Sequence, residues 1–327
     1  MDPLADVLDL ARVRGTLLAN VRAQAPWGLD IPQSPSAALH AVTSGTAWLR
    51  APGRAPVQLM PGDVALFPAG VRHQVSSEPD GDCRPFDHEL TARHMTPAGD
   101  LVLPGPGATT TFICAGYEYD LGVAGRLVGL LPDVLHVPAD PVTGRDAATL
   151  VALLCSEVGT DAPGSRAASA RLIDLLLIAA VRAWAAGPGG DRPNWLTALG
   201  DPVAARALAL LHDRPGHPWT LASLADKVQV SRATLARRFG EVVGEPPLTY
   251  LARWRVDLAA RRLTTSTDSV EVIAGEVGYN SAYAFNRAFA RHRGQPPGRY
   301  RRAAAPAPQL QPTGQAGDRR ETAPATE

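Results

Sequence analysis

In the carboxyl-terminal third of the chain, apolar residues stand three and four positions apart, the spacing of one helix face. Leu221, Leu224, Ala225 and Val228 mark a short helix that Thr220 can cap. After Gln229-Val230, a second helix capped by Ser231 buries Leu235 and Phe239. The pattern then returns. Asp268-Ser269 can cap a helix with Val270, Ile273 and Val277 inside, Gly278-Tyr279 makes a turn, and Ser281 opens a helix burying Phe285 and Phe289. Moved by 50 residues, Ser231, Arg237, Phe239, Gly244, Pro247 and Tyr250 fall on Ser281, Arg287, Phe289, Gly294, Pro297 and Tyr300. A fixed internal period means one structural unit used more than once. A long helix over about 247–264 joins the copies.

The amino-terminal pattern is different. Residues 1–15 read as a short helix with Leu4, Val7, Leu8 and Ala11 on one side. From about Thr16 to Asp120, short runs such as 38–42, 46–50 and 63–67 are punctuated by Pro and Gly, which predicts a sandwich or barrel of strands. Residues 78–109, rich in Pro, Gly and Asp, read as a long loop or insertion. Helices are expected over 146–158 and 166–186, and the second is apolar over more than one stripe, which suits burial against its own barrel and a second subunit. Residues 187–193 read as a linker, and the Ala/Pro/Gln-rich stretch after Arg302 as disordered.

Composition sharpens this division. With 327 residues, 45% of them hydrophobic, the chain can bury two cores. The net charge of zero conceals an asymmetry: residues 195–302 hold 16 Lys and Arg against 9 Asp and Glu, whereas residues 1–194 hold 14 against 20. A basic carboxyl half suits phosphate contact. Cys83, Cys114 and Cys155 form no CxxC pair, so neither a disulfide framework nor a zinc ribbon is indicated. Cys114 and Cys155 read as core residues. No basic-then-apolar leader opens the chain and no apolar run approaches the ~20 residues of a spanning helix, so a cytoplasmic protein is expected.

Short helix, turn and capped helix is the helix-turn-helix pattern, whose second helix enters the major groove. Arg232, Ala233, Ala236 and Arg237 share the face opposite Leu235 and Phe239; Ala282, Tyr283, Asn286 and Arg287 share the face opposite Phe285 and Phe289. Arginine can read guanine bidentately, Asn can read adenine, and apolar groups can meet a thymine methyl. The signature Leu224-Ala225, Ser231, Arg237, Phe239, Gly244, Tyr250, Arg255, Ile273-Ala274, Val277-Gly278-Tyr279, Ser281, Phe285, Arg287, Phe289, Pro297 and Tyr300-Arg301 resembles the DNA-binding domain of AraC/XylS-type regulators. The resemblance implies two units bound to successive major grooves of promoter DNA. It also implies a dimer acting with RNA polymerase, more often as an activator. By position, the base-facing residues would be Ala233, Ala236 and Arg237, then Ala282, Tyr283, Asn286 and Arg287.

In the amino-terminal half, Gly62, Pro68, Gly70 and His73 resemble the second cupin motif, and cupin-like barrels are the usual sensor domain of that family. Metal-binding cupins carry a His-x-His pair and a Glu in the first motif; here Val42 follows His40 and no Glu occurs in 43–57. His40 and His73 could still face each other, joined by His88 or His94, as ligands for zinc, iron or copper. Otherwise His73 lines a pocket or makes hydrogen bonds, with His88 and His94 on a surface loop. An effector pocket is expected around His40, Trp48 and His73, without a cofactor. The sequence also lacks Gly-x-Ser-x-Gly, a phosphate loop or a complete metal triad.

The expected architecture is α+β. Residues 1–186 form a cupin-like β-barrel with a helical dimerisation segment, 187–201 a linker, 202–302 an all-α double helix-turn-helix domain and 303–327 a disordered tail. The expected function is an effector-responsive, sequence-specific transcription regulator that is not an enzyme. The alternative is a cupin-type metalloenzyme with a DNA-binding appendage.

Overall fold

A computed structural model describes residues 2–140, 142, 144–158, 160, 162–187 and 193–304. Among them the strands form two sheets. The larger runs β11 (Leu135–Val137), β6 (Val64–Phe67), β3 (Ala37–Ser44), β10 (Thr109–Glu118), β1 (Arg14–Gln24) and β9 (Asp100–Leu103). The smaller runs β5 (Val57–Leu59), β4 (Ala47–Arg50), β7 (His73–Ser76), β2 (Gly28–Ile31) and β8 (Arg84–Pro85). Neighbours are antiparallel except for β1 with β9 and β2 with β8. No pairing among these strands joins one sheet to the other. The expected barrel is therefore an open sandwich, closed by side chains rather than by backbone hydrogen bonds.

Alternation along the strands sends residues to two cores. Val42, Ala65, Phe67 and Phe112 face the smaller sheet, while Leu39, Val64, Leu66 and Ile113 face helices on the other side. Buried on both faces, β6 is apolar throughout, which is why its sequence shows no alternation. The covering helices are α4 (Arg145–Glu157) and α5 (Ser165–Ala186). The Tyr117 hydroxyl donates to the Ile173 carbonyl at 2.8 Å and fixes α5 to β10.

Several expectations change here. Residues 78–109 are not one loop: they hold β8, α2 (His88–His94) and β9. Asp87 caps α2, accepting from the Leu90 amide at 2.9 Å, and Leu101 and Leu103 point into the sandwich. Cys155 is exposed rather than core. Helix α4 buries Ala147, Val151 and Leu154, and one further residue turns Cys155 away by about 100°. The linker expected over 187–201 is partly folded. Trp195, Leu196 and Ala198 are buried and Asn194 accepts from the Leu196 and Thr197 amides, while 188–192 lie outside the described residues. At the far end, helix α12 (Pro297–Ala304) carries order through residues assigned to the tail; 305–327 lie outside the described residues.

The carboxyl half comprises α6 (Pro202–Asp213), α7 (Leu221–Lys227), α8 (Arg232–Val243), α9 (Pro247–Thr265), α10 (Val270–Glu276), α11 (Ala282–Arg293) and α12. Phe285, Phe289, Ile273 and Leu263 form the core of the second copy. The core of the first copy, with Leu224, Leu235 and Phe239, is continuous with the helical core of the amino-terminal half. Among the described residues no helix is long and apolar enough to cross a membrane.

Candidate nucleic-acid interface

Each copy is built by the same local devices. Ser231 accepts from the Thr234 amide at 3.1 Å and Ser281 from the Ala284 amide at 3.2 Å, so α8 and α11 start at matching positions. Gly244 and Gly294 end them with φ of 84° and 70°. The turn before each second helix needs a left-handed residue: Gln229 with φ 61° in the first copy and Gly278 with φ 88° in the second. Gly278 also has no room for a side chain, since a Cβ would stand 2.7 Å from the Gly216 carbonyl oxygen and 2.8 Å from an Arg255 nitrogen.

Arg255, on α9, reaches both copies. Its Nε donates to the Pro215 carbonyl at 2.6 Å, one terminal nitrogen to the His217 carbonyl at 2.8 Å, and the other to the Gly278 carbonyl at 3.1 Å. The segment before α7 and the turn before α11 are thus tied to one guanidinium.

With Leu235, Phe239, Phe285 and Phe289 fully buried, the opposite faces of α8 and α11 stand outward. Arg232, Ala233, Arg237, Tyr283 and Arg287 are exposed; Ala236, Ala282 and Asn286 are partly so. None of the eight is buried. The two faces differ in ways sequence reading missed. Arg237 is paired with Glu241 one turn on, at 2.9 Å. Arg287 lies 5.8 Å above the Tyr283 ring one turn back, and its own next-turn neighbour is Arg291. Asn286 donates one amide hydrogen to the Ala282 carbonyl at 2.8 Å. The signal was present, because the 50-residue shift that aligns the arginines also places Glu241 on Arg291.

In the amino-terminal half, His40 on β3 and His73 on β7 meet between the sheets, both buried, with their Nε2 atoms 2.7 Å apart. His73 Nδ1 lies 2.8 Å from the Val71 carbonyl and must donate to it, so its Nε2 accepts from His40. His40 Nδ1 is then the acceptor for the Cys114 thiol at 3.1 Å. The result is a directional chain of neutral groups that staples one sheet to the other. Burial keeps it neutral: it holds His40 well below its usual range, lowers His73 to about 4 and raises the Cys114 thiol to about 12. Trp48 does not join this group. It shares the outer face of β4 with Arg50, because Ala47 and Leu49 take the inner one. His88 and His94 lie at the two ends of α2 rather than on a loop. Among the described residues no group of three or more His, Cys, Asp or Glu is arranged to hold a metal.

Where the halves meet, a polar contact is set into their shared apolar core. Helix α1 (Pro3–Ala11) packs on α6, and the ring of His212 fills the contact. Its Nδ1 donates to the Asp6 carboxylate at 3.0 Å, its Nε2 accepts from the Tyr250 hydroxyl at 2.7 Å, and it stacks on Trp254 with centroids 4.1 Å apart. Arg261 adds a bond to the Asp9 carbonyl at 2.9 Å. Burial lowers His212 to about 4, so it too is neutral in the fold.

A two-sheet domain joined to a duplicated helix-turn-helix module defines a class, that of one-chain transcription regulators. Comparison with known proteins agrees. A family profile described as "Cupin" matches residues 2–186, and one described as "Helix-turn-helix domain" matches 224–303. A putative AraC-like transcription regulator of Streptomyces lividans is 33% identical over 92% of this chain and 98% of its own. The HTH-type transcriptional regulator AlkR of Acinetobacter baylyi is 30% identical over 92% and 99%. The RCS-specific HTH-type transcriptional activator RclR of Escherichia coli is 28% identical over 92% and 97%. The chain belongs to the AraC-like transcription regulators, with a cupin domain at its amino end.

The buried imidazoles give a pH dependence of definite sign. His73 and His212 stay neutral in the fold down to about pH 4, but protonate near 6.5 once unfolded. The unfolded chain therefore binds more protons throughout that window, and stability falls as pH drops. Each should contribute a loss of about 1.5 kcal/mol between pH 6.5 and pH 5. Urea unfolding followed by circular dichroism should show it; a midpoint independent of pH from 7 to 5 would mean these rings are charged in the fold.

Proposed function

We propose that this regulator is effector-responsive, that it activates transcription, and that it works as a homodimer in the cytoplasm. Residues 1–186 sense and dimerise, 187–201 connect, 202–302 bind DNA, and 303–327 take no part in either. The reading rests most on the seam at His212. A signal that repacks the sensor half is felt by α6 and α9, because α1 is bonded to both. The regulatory effect is then the difference in effector affinity between two domain arrangements. Activation through RNA polymerase is supported by the Escherichia coli relative's description as an activator. No observation favours the metalloenzyme alternative.

At the DNA, Arg237 and Arg287 would each read a guanine, Asn286 an adenine, and Ala233, Ala236 and Ala282 the thymine methyls, with Arg232 and Tyr283 flanking. Fragments selected by the full chain from a genomic pool should share paired half-sites about one helical turn apart. On such a site Arg287→Ala should cost about 1–3 kcal/mol and relax the preference at one base pair; unchanged preference would displace α11 from the base-reading role.

Coupling across the seam is open to calorimetry. The full chain should unfold in a single transition, and Asp6→Ala combined with Arg261→Ala should resolve it into two. Two separate transitions in the unmutated chain would mean that the halves do not communicate through this contact.

The dimer is supported by Leu153 on α4 and Leu175 on α5, which are 50% and 47% exposed on the helices that cover the larger sheet. Sedimentation velocity that finds only monomer at high micromolar concentration would remove the dimer from this reading.

A further inference from the structure

Arg237 of the first copy is already held, and its holder lies outside the base-facing set. Glu241 stands one turn beyond Arg237 on the same side of α8, away from the buried Phe239. Helical spacing brings two arginines within its reach, Arg237 at i−4 and Arg238 at i−3. Arg238 is taken. Its Nε donates to the Asp201 carboxylate at 2.6 Å, and that same carboxylate caps α6 through the Val203 and Ala204 amides. Glu241 therefore closes on Arg237, with its two oxygens 3.0 and 2.9 Å from a single nitrogen, Nη1.

That engagement leaves most of the guanidinium free. The group has N–H donors on all three nitrogens in a fixed planar fork. Glu241 occupies Nη1 alone, and among the described residues Nε and Nη2 make no hydrogen bond. Those two nitrogens form a fork that can meet O6 and N7 of guanine together. The ion pair and the base contact use different donors, so neither excludes the other. The two side chains are 66% and 55% exposed, and an exposed pair adds little to stability. Its weight falls on binding, because the attraction strengthens once DNA covers the pair and displaces water. The carboxylate acts in a second way. Phosphate attracts a free guanidinium on any sequence, and Glu241 offsets the charge that would be attracted. The second copy lacks this device. Arg291 stands at the matching position, and Arg287 rests over the Tyr283 ring with no hydrogen bond of its own among the described residues.

We propose that Glu241 is a positioning residue that sets the specificity of the first recognition helix. It holds Arg237 by Nη1, leaves Nε and Nη2 to the base edge, and withholds that arginine from phosphate. This role rests on the guanine readout assigned to Arg237 above and gives that readout its support. The place on the helix agrees. Residues near the start of a recognition helix approach the bases, and Glu241, near the end of α8, stands behind Arg237. The two copies then divide the work: the first discriminates more than it attracts, and the second attracts through Arg287 and Arg291.

The test uses the full chain, a duplex carrying a site selected from the genomic pool, and an unrelated duplex of equal length. Arg237→Ala first identifies, by loss of preference, the base pair that Arg237 reads. Glu241→Ala should then lower discrimination at that same base pair by about two- to fivefold, the range of an ion pair of this kind. It should also tighten binding to the unrelated duplex and steepen the salt dependence by about one phosphate. Glu241→Gln, which keeps an acceptor without the charge, should fall between. The side chain is exposed, so neither substitution empties a core. In the Arg237→Ala chain, Glu241→Ala should change neither quantity. If Arg237→Ala removes the preference and Glu241→Ala leaves it whole, the role of Glu241 is overturned and the readout by Arg237 stands. If Glu241→Ala has the same effect with and without Arg237, the carboxylate meets DNA directly and the positioning role is overturned. If Arg237→Ala leaves every base preference intact, the readout and the role of Glu241 fall together.

Discussion

Two recognition helices can act together only if the distance and angle between them are fixed, and the guanidinium of Arg255 fixes them. Alone, α9 would be a rod with an independent unit at each end. Through Arg255 it also holds three carbonyls, at Pro215, His217 and Gly278, which belong to the approaches of α7 and α11. Charge-assisted bonds to carbonyls are stronger than neutral ones, and a planar fork restricts direction as well as distance. Gly278 follows from the same constraint: the turn must be left-handed, and the space a side chain would need is taken by the arginine and by Gly216. Half-burial lowers the Arg255 pKa, yet a guanidinium remains charged throughout the range in which proteins fold.

The interior of this protein relies on neutral imidazoles where many proteins use charge. His40 and His73 join the two sheets of the cupin domain, and His212 joins that domain to the helix-turn-helix half. Each sits in apolar surroundings that exclude the protonated ring, so each bond has a definite donor and acceptor. A buried ion pair at either place would carry a large desolvation cost. A neutral hydrogen bond carries less, and it is also easier to break.

The two copies share geometry and differ in charge. Their helices begin at matching Ser caps and end at matching glycines, but Arg237 is half-neutralised by Glu241, whereas Arg287 rests on Tyr283 with Arg291 beyond it. Phosphate attraction is therefore greater at the second copy.

The carboxyl module was legible because its rules are local. Caps at Ser231, Ser269 and Ser281, apolar positions at helical spacing and a 50-residue repeat all act within one turn or one unit, and each is written in the chain. The sensor was legible only as a class. Whether strands close into a barrel depends on pairings between residues far apart, and here β5 and β8, β9 and β11 end the sheets unpaired with one another. The order in 78–109 was hidden by its Pro and Gly content, since its alternation at Leu101 and Leu103 is short. Cys155 falls just outside the narrow buried stripe of Ala147, Val151 and Leu154, and only the packing of α4 decides how wide that stripe is. Trp48 was grouped with the histidines by composition, though strand alternation sends it outward. The sequence by itself determined which segments of the carboxyl module were helices, which unit was repeated and which side chains faced outward from it. Only the tertiary structure decided that His40 meets His73, that His212 meets Asp6 and that Arg255 holds both copies. Those contacts join residues 33, 206 and up to 40 positions apart, and no local pattern encodes a distance closed by folding.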